Sequence, residues 1–282
     1  MDFATLLENA SQRLALAGGL DRGEARREAR LLAARALDVE KSWFVGHDKD
    51  RPEPAQAAAV ETLVARRAAG EPVAYILGER EFFGRPFRVT PDVLIPRPET
   101  ELLVEAALAR LPPRRPTRLL DLGTGSGCIA ITLALETPGT EVVAVDASPA
   151  ALAVARDNAA RLKAAVGFVL SDWFGSLETS AFEVIVGNPP YIAAADPHLS
   201  RGDPRHEPRT ALASGSTGLD DLARIVAGAP ARLAPGGWLL LEHGRDQASA
   251  VAEFMAQSGF RELQCLRDLA GLDRVTLGQH GT

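Results

Sequence analysis

The stretch RLLDLGTGSG, residues 118–127, places an apolar strand directly before a glycine-rich turn that begins a helix. A side chain at a glycine of such a turn would block the close approach of a ligand to the backbone. A dinucleotide fingerprint, G-x-G-x-x-G, would require glycine at position 128, where this chain has Cys128. The spacing therefore favours S-adenosylmethionine as the ligand of the turn residues Gly123, Thr124, Gly125, Ser126 and Gly127.

Outward from this turn, the chain alternates short apolar strands with helices. Helices are predicted after Gly127, from Pro149 and near 219–232. Strands are expected at 118–122, 142–146, 168–170, 184–186 and 238–242, with two closing strands near 261–267 and 273–278. Such alternation builds a parallel sheet with helices on both faces, so the predicted fold class is α/β with a Rossmann-like sheet.

The residues before the sheet form two further segments. Residues 1–75 carry apolar side chains at helical spacing from Phe3 onward, in runs that end near Gly or Pro. This pattern predicts a small helical bundle, whose mixed charges indicate either solvated helix faces or a surface that docks a partner. Residues 76–98 contain short aromatic and β-branched runs, the last of them 93–95, separated by Gly and Pro, and predict a β-hairpin connector.

Composition limits the classes of protein that the chain can belong to. Its 282 residues carry a net charge of −6, and the apolar share of 46% is ample for a large and a small core. An acidic chain is poorly suited to coating nucleic acid, so we expect no direct nucleic-acid binding. The two cysteines lie far apart, the start lacks a signal-peptide pattern, and no stretch of roughly 18 uninterrupted apolar residues occurs. These features predict a cytoplasmic protein that does not associate with membranes.

Two further side chains are predicted to lie beside the glycine turn. Asp146 ends the second strand, where nucleotide sites of this architecture place an acid against the ribose hydroxyls, although with Ser148 it could instead cap the next helix. Trp173, after the third strand, offers a flat ring to an adenine base, and Asp172 offers an acceptor to its amino group. Trp173 could also be an ordinary core residue. In combination with the turn, ribose and adenine binding are the better interpretations.

The motif NPPY, residues 188–191, follows the fourth strand at the sheet edge where ligands of this architecture bind. Pro189 and Pro190 restrict the backbone, so neighbouring carbonyls point in fixed directions. The side-chain oxygen of Asn188 and the carbonyl of Pro189 could each accept one N–H of a planar amide or aromatic amine, while Tyr191 packs against the planar group. These acceptors would orient the nitrogen and stabilise the positive charge that develops on it during attack.

The motif resembles that of the amino-methyltransferases, which include adenine-N6 and glutamine-N5 enzymes. Other segments, over nearly the whole chain, are similar to the bacterial release factor glutamine methyltransferases. These segments are YILGEREFFG (75–84), LIPRPETE (94–101), DWF (172–174), HEP (206–208) and LEHG (241–244).

This resemblance implies a class I methyltransferase sheet in residues 99–282, with residues 1–75 docking the substrate. The implied reaction is N5 methylation of the glutamine in the Gly-Gly-Gln motif of class-1 peptide chain release factors, with S-adenosylhomocysteine as the second product. The implied cofactor contacts are Gly123 to Gly127, Asp146, Trp173 and Asn188. By the same resemblance, Asn188, Pro189, Pro190 and Tyr191 hold the glutamine.

Two other functions remain open from the residues themselves. An adenine-N6 methyltransferase of DNA or RNA would use the same acceptors on a flipped-out base. The acidic balance and the lack of a long basic or aromatic insert count against it. A non-catalytic adaptor would bind the cofactor without transferring its methyl group, which the intact NPPY motif disfavours.

The remaining polar residues give weaker indications. The five histidines have no metal-ligand spacing, and methyl transfer from a sulfonium needs no metal, so we expect none. The run 95–101 predicts the start of a helix, with Pro98 in its first turn, and Arg97 or Glu99 could also line the site. We further expect the protein to be a monomer.

Overall fold

The structure is a computed structural model that describes residues 1–111, 117–177 and 181–281. The chain forms two compact units. The first comprises Met1–Glu79 together with the short segment Ser200–His206, and the second comprises Arg80–Leu199 and Glu207–Thr282.

The first unit is helical, and capping residues fix where its helices begin. Its helices are α1 (Phe3–Gly18), α2 (Arg22–Leu37), α3 (Trp43–His47), α4 (Pro54–Ala68) and α5 (Val73–Leu77). The side chain of Asp2 accepts the N–H of Thr5 at the start of α1, and Glu53 and Gln56 form a reciprocal capping box at the start of α4. The predicted connector start at residue 76 falls within α5.

A buried ion pair lies beside the apolar core of this unit. Arg67 of α4 donates to the two carboxylate oxygens of Glu28 at 2.6 and 3.2 Å. A third donor atom of Arg67 bonds Oδ1 of Asp203 at 3.0 Å. These bonds tie the segment Ser200–His206 to the helices, although it is distant in sequence.

The connector contains a two-stranded hairpin, β1 (Glu79–Phe82) and β2 (Arg85–Arg88). The third apolar run of the predicted connector, 93–95, forms no strand. Pro91 and Pro96 flank this run, and proline restricts the backbone and lacks the N–H that a strand ladder needs. Val93 and Ile95 are nevertheless buried.

The second unit is built on a seven-stranded sheet in the order β5-β4-β3-β6-β7-β9-β8. Its strands are β3 (Thr117–Leu122), β4 (Thr140–Asp146), β5 (Val166–Leu170), β6 (Phe182–Gly187), β7 (Leu233–Glu242), β8 (Arg261–Arg267) and β9 (Asp273–Gln279). The first five strands of this order are parallel, whereas β9 is antiparallel to both of its neighbours. The predicted α/β, Rossmann-like fold is therefore confirmed.

Helices cover both faces of this sheet, because successive side chains of a strand point to opposite faces. The helices are α6 (Glu101–Leu108), α7 (Cys128–Glu136), α8 (Pro149–Leu162), α9 (Asp220–Gly228) and α10 (Ala248–Gln257). Leu119 of β3 belongs to a buried cluster with residues of α6 and α7. Leu120 and Leu122 belong to a second cluster with residues of α9 and α10.

The strand order creates a switch point beside β3. The chain runs outward from β3 through β4 to β5 and then returns to the other side of β3 as β6. The carboxyl ends of β3 and β6 lie next to each other there, with Leu122 paired to Gly187. In open α/β sheets, such a switch point is where ligands bind. Gly123 and Asn188 are the residues that follow the two strands.

Candidate active site

A cavity of about 480 Å³ lies at this switch point. That volume is in the range of pockets that hold small molecules, about 300–1,000 Å³. The cavity is lined by the connector residues 91–94, by Gly123 and Gly125 of the turn, and by the residues that follow β4 and β5. The wall is completed by Asn188 and Pro190 of the NPPY motif, by Pro208, Thr210 and Ala211, and by Asp221 of α9.

The glycines of the turn meet two different needs. Gly125 has a φ of +55°, and a Cβ atom added there would meet no atom within 4 Å, so its face toward the cavity stays open. Gly127 has a φ of +83°, and an added Cβ would lie 2.8 Å from Cδ1 of Ile131 and 3.2 Å from Cβ of Ala155. Gly125 thus leaves room for a ligand, whereas Gly127 allows α7 and α8 to pack closely.

Asp146 lines the cavity and also holds the turn in place. Its Oδ2 accepts the N–H of Gly125 at 2.9 Å, and its Oδ1 accepts the N–H of Ser148 at 2.8 Å. Burial raises the pKa of Asp146, and these two hydrogen bonds oppose the rise. The cap of α8 is Ser148, which accepts the N–H of Ala151 at 3.1 Å. Because each carboxylate oxygen can accept more than one hydrogen bond, Asp146 keeps acceptor capacity for hydroxyl groups in the cavity.

Trp173 forms another part of the wall and is fixed by a residue that the sequence did not indicate. Its ring lies against Gly123, with Cζ3 at 3.2 Å from the position of an added Cβ. Its Nε1 donates to Oδ1 of Asp221 at 3.1 Å, and Oδ2 of Asp221 accepts the hydroxyl of Ser214 at 2.7 Å. Asp172 also lines the cavity, but its exposed carboxylate is paired with Arg224 at 2.8 Å.

The NPPY motif is divided between the cavity and the protein interior. Asn188 and Pro190 line the cavity, whereas Pro189 is buried and is not among the described cavity-lining residues. Nδ2 of Asn188 donates to Oγ1 of Thr100 at 3.2 Å. The hydroxyl of Tyr191 donates to Oε1 of Glu242 at 3.4 Å, and burial raises the pKa of Tyr191.

Other predicted residues support the turn from behind and are not among the described cavity-lining residues. The hydroxyl of Thr124 donates to Oδ2 of the buried Asp121 at 2.6 Å. The carbonyl of Ser126 accepts the side-chain N–H of Asn158 at 2.9 Å. Asn158 also bonds both backbone groups of Arg88, so it ties the connector to the turn.

The run 95–101 begins a helix, as the sequence predicts, with a 3₁₀ turn at Pro98–Thr100 that leads into α6. Arg97 donates to the buried carboxylate of Glu207 at 2.6 Å. Neither Arg97 nor Glu99 is among the described residues that line the cavity. Arg97 instead anchors the chain next to Pro208, which does line it.

Two carboxyl groups are buried close to the cavity. Asp121 is fully buried and Glu242 is nearly so, and burial raises the pKa of each to about 7.

Within residues 1–111, 117–177 and 181–281, no group of three or more His, Cys, Asp or Glu side chains could hold a metal ion. None of the helices in those ranges combines the length and the apolar character that crossing a membrane requires.

The strand order, the glycine turn at the switch point and the adjacent NPPY motif define a class I S-adenosylmethionine-dependent methyltransferase. Two family models match the chain, the PrmC N-terminal domain at residues 5–78 and the methyltransferase small domain at residues 98–201. The chain belongs to the release factor glutamine methyltransferase family, as its similarity to two proteins of that name establishes. It is 53% identical to that of Bordetella pertussis over 259 residues (92% of this chain, 96% of that one) and 56% identical to that of Neisseria gonorrhoeae over 222 residues (78% and 81%).

A more distant likeness concerns the fold alone. The solved structure of the T. thermophilus 16S rRNA N2 G1207 methyltransferase, in complex with AdoMet and guanosine, is 24% identical and has a TM-score of 0.55. The match covers 72% of this chain and 49% of that one.

Proposed function

We propose that the protein transfers the methyl group of S-adenosylmethionine to the N5 side-chain amide nitrogen of the glutamine in the Gly-Gly-Gln motif of class-1 peptide chain release factors. One observation carries this proposal: Asn188, whose side chain can accept an amide N–H, lines the same cavity as Gly125 and Asp146. Membership of the family supports a release factor as the substrate. It also favours the glutamine amide over an adenine base.

The residues around the cavity suit S-adenosylmethionine. Gly125 leaves open space at the turn, Asp146 offers acceptors to the ribose hydroxyls, and the ring of Trp173 offers a flat surface to the adenine. When bound, this cofactor supplies a methyl group on a positively charged sulfur. We assign no metal to the reaction, because the methyl carbon bonded to that positively charged sulfur is already electrophilic.

The acceptors of the NPPY motif meet the needs of an amide nucleophile. The lone pair of an amide nitrogen is delocalised, so the nitrogen is a weak nucleophile with two hydrogens to place. In our mechanism, one N–H donates to Oδ1 of Asn188 and the other to the carbonyl of Pro189, which aims the nitrogen at the methyl carbon. With S-adenosylmethionine bound, the S–C bond would break as the N–C bond forms, and both acceptors would stabilise the positive charge on the nitrogen. The nitrogen then loses a proton to water.

We assign the docking of the release factor to residues 1–75. They fold as helices with an apolar core of their own, and the family model of the PrmC N-terminal domain matches residues 5–78. A helical unit of this kind adds no group that methyl transfer itself requires. Action on a translation factor also accords with the predicted cytoplasmic location.

Mass spectrometry of an unmethylated release factor, incubated with this protein and S-adenosylmethionine, tests the proposal. We expect one added methyl group, mapped to the glutamine of the Gly-Gly-Gln motif. The Asn188→Ala variant should lose about 100- to 1,000-fold in turnover, as when one transition-state hydrogen bond is removed, while its cofactor affinity changes much less. Methylation of bare DNA or RNA in place of the release factor would instead support the adenine alternative.

A further inference from the structure

The side-chain amide of Asn188 can work as an acceptor only if its oxygen, and not its NH₂ group, points toward the substrate. The two ends of a carboxamide have nearly the same shape, so sterics alone do not select one orientation. In the structure, the NH₂ end donates to Oγ1 of Thr100 at 3.2 Å. Oδ1 of Asn188 is therefore the end that remains for the substrate.

A threonine hydroxyl can both donate and accept, so the orientation of Asn188 depends on where Thr100 sends its own hydrogen. Thr100 is 2% exposed, and the Glu242 carboxyl group is near enough for the hydroxyl of Thr100 to lower its pKa. Oε2 of Glu242 is buried and has no hydrogen-bond partner in the described part of the chain, so it is free to accept the hydrogen of that hydroxyl. Oε1 of Glu242 also accepts the hydroxyl of Tyr191 at 3.4 Å. With its hydrogen directed to Glu242, Thr100 can only accept from Asn188.

Glu242 is suited to the end of such a chain of hydrogen bonds. It is 1% exposed, so water does not compete for its oxygens. Burial raises its pKa to about 7, against the smaller opposing effects of Thr100, Arg274 and Tyr191, so the ionised, acceptor-only form predominates only above about pH 7. The charge of Glu99 also raises this pKa, and Arg274 is itself paired with Asp268.

We propose that Glu242 and Thr100 are positioning residues, which hold the side-chain amide of Asn188 with its oxygen toward the substrate nitrogen. The proposal rests on the proposed methyl transfer to an amide nitrogen and identifies the groups that set its geometry. Neither residue touches the substrate in this scheme. Their effect on the reaction is transmitted through Asn188.

Substitutions at Thr100 separate the hydroxyl from the shape of the side chain. Thr100→Val keeps the shape and removes the hydroxyl, so it should lower kcat for release factor methylation roughly 10- to 100-fold, as a misplaced reacting group does. KM and the cofactor Kd should stay within about twofold of wild type, because the amide still fills the same space. Thr100→Ser restores the hydroxyl and should restore most of the rate.

Glu242→Gln tests the direction of the hydrogen bonds. Glutamine has nearly the same shape, but its NH₂ group can donate to Thr100, which would then donate to Asn188 and favour the reversed amide. We expect a loss of kcat similar to that of Thr100→Val. The matched control is Thr132→Val in α7, because Thr132 is also fully buried but its hydroxyl has no hydrogen-bond partner in the described part of the chain.

A second measurement reads the orientation of Asn188 without any reaction. The side-chain NH₂ signals of Asn188, assigned by NMR with the Asn188→Ala variant, should exchange slowly with water in the wild type and in Thr100→Ser. They should exchange rapidly in Thr100→Val. If wild type fails to methylate the release factor but these signals behave as stated, the proposed function fails and the positioning role stands. Unchanged exchange in Thr100→Val, or a kcat within twofold of the Thr132→Val control, would overturn the positioning role.

Discussion

The indole Nε1 of Trp173 donates a hydrogen bond to Oδ1 of Asp221 at 3.1 Å, which links the loop after β5 to the first turn of α9. The same indole ring lies against Gly123 of the glycine turn. A carboxylate outside every recognised motif therefore fixes the ring that forms one wall of the cavity.

Asp221→Ala should release the Trp173 ring and weaken cofactor binding about tenfold, the size of a lost hydrogen bond to a charged group. Trp173→Phe keeps a ring but removes the N–H, so it should have a similar effect, and the double variant should be no weaker than either single variant. Isothermal titration calorimetry with S-adenosylmethionine measures all three. Asp220→Ala is the control, since it removes a neighbouring exposed charge from the same helix turn. Additive losses in the double variant would contradict a shared role.

Asp146→Ala should weaken cofactor binding roughly 10- to 100-fold, because it removes the proposed acceptor for the ribose and the bonds to Gly125 and Ser148. Asp146→Asn keeps one acceptor oxygen and should fall between the wild type and the alanine variant. The dissociation constant of S-adenosylmethionine is the measurement. If the alanine variant bound the cofactor as tightly as the wild type, Asp146 would have no role in holding it.

Gly127→Ala should mainly lower folding stability, whereas Gly125→Ala should mainly lower cofactor affinity. At Gly127, an added Cβ would lie 2.8 Å from Ile131, and together with the left-handed backbone this should cost about 2–5 kcal/mol of folding free energy. At Gly125, the methyl group meets no protein atom, so only the backbone cost of about 1–2 kcal/mol should appear. The same methyl group should nevertheless reduce cofactor affinity, because it occupies the cavity side of the turn. Chemical denaturation and cofactor titration of both variants distinguish the two outcomes, and equal losses of stability would contradict the difference in packing.

Sequence patterns predict this fold well because its strands and turns are encoded locally. Each of these apolar strands ends at, or within a few residues of, a glycine, acid or proline that marks its carboxyl end, as at Gly123, Asp146 and Pro189. The switch-point rule then brings these ends together without knowledge of side-chain contacts. The run 93–95 is an exception to this local encoding, since Val93 and Ile95 are buried in a loop and not in a strand.

The residues that hold the site side chains in place by hydrogen bonds could not be predicted from local patterns in the same way. Asp221 is 48 positions from Trp173, Thr100 is 88 positions from Asn188, and Asn158 is 32 positions from Ser126. None of them stands in a spacing that a local motif defines. Only the packing of distant elements makes them partners, although Thr100 lies within the LIPRPETE segment that carries the family resemblance.

Arg67→Met should destabilise the helical unit by about 3–5 kcal/mol, because it leaves the carboxylate of Glu28 buried without its partner. Replacing both residues, as in Glu28→Leu with Arg67→Met, removes the unpaired charge and should recover most of that loss. Denaturant unfolding measures both effects. The exposed pair of Arg13 and Glu61 provides the comparison, since Arg13→Met should change stability by less than about 1 kcal/mol. A double variant as unstable as Arg67→Met would contradict this account.

Asp121 should make the folded state lose stability as the pH rises from about 4 to about 7. Burial raises its pKa from 3.8 to about 7, against the opposing hydrogen bond from Thr124. The folded state therefore keeps a proton that the unfolded chain releases near pH 3.8, so this stabilisation is complete below that pH and is lost as the pH rises through 7. The change is on the order of 4 kcal/mol. Asp121→Asn cannot release a proton, so its unfolding free energy should fall less than that of the wild type between pH 4 and pH 8. Groups that titrate in both proteins, Glu242 among them, contribute equally to both and cancel in the difference between wild type and variant. Parallel curves of unfolding free energy against pH for the two proteins would show that Asp121 is ionised in the folded state.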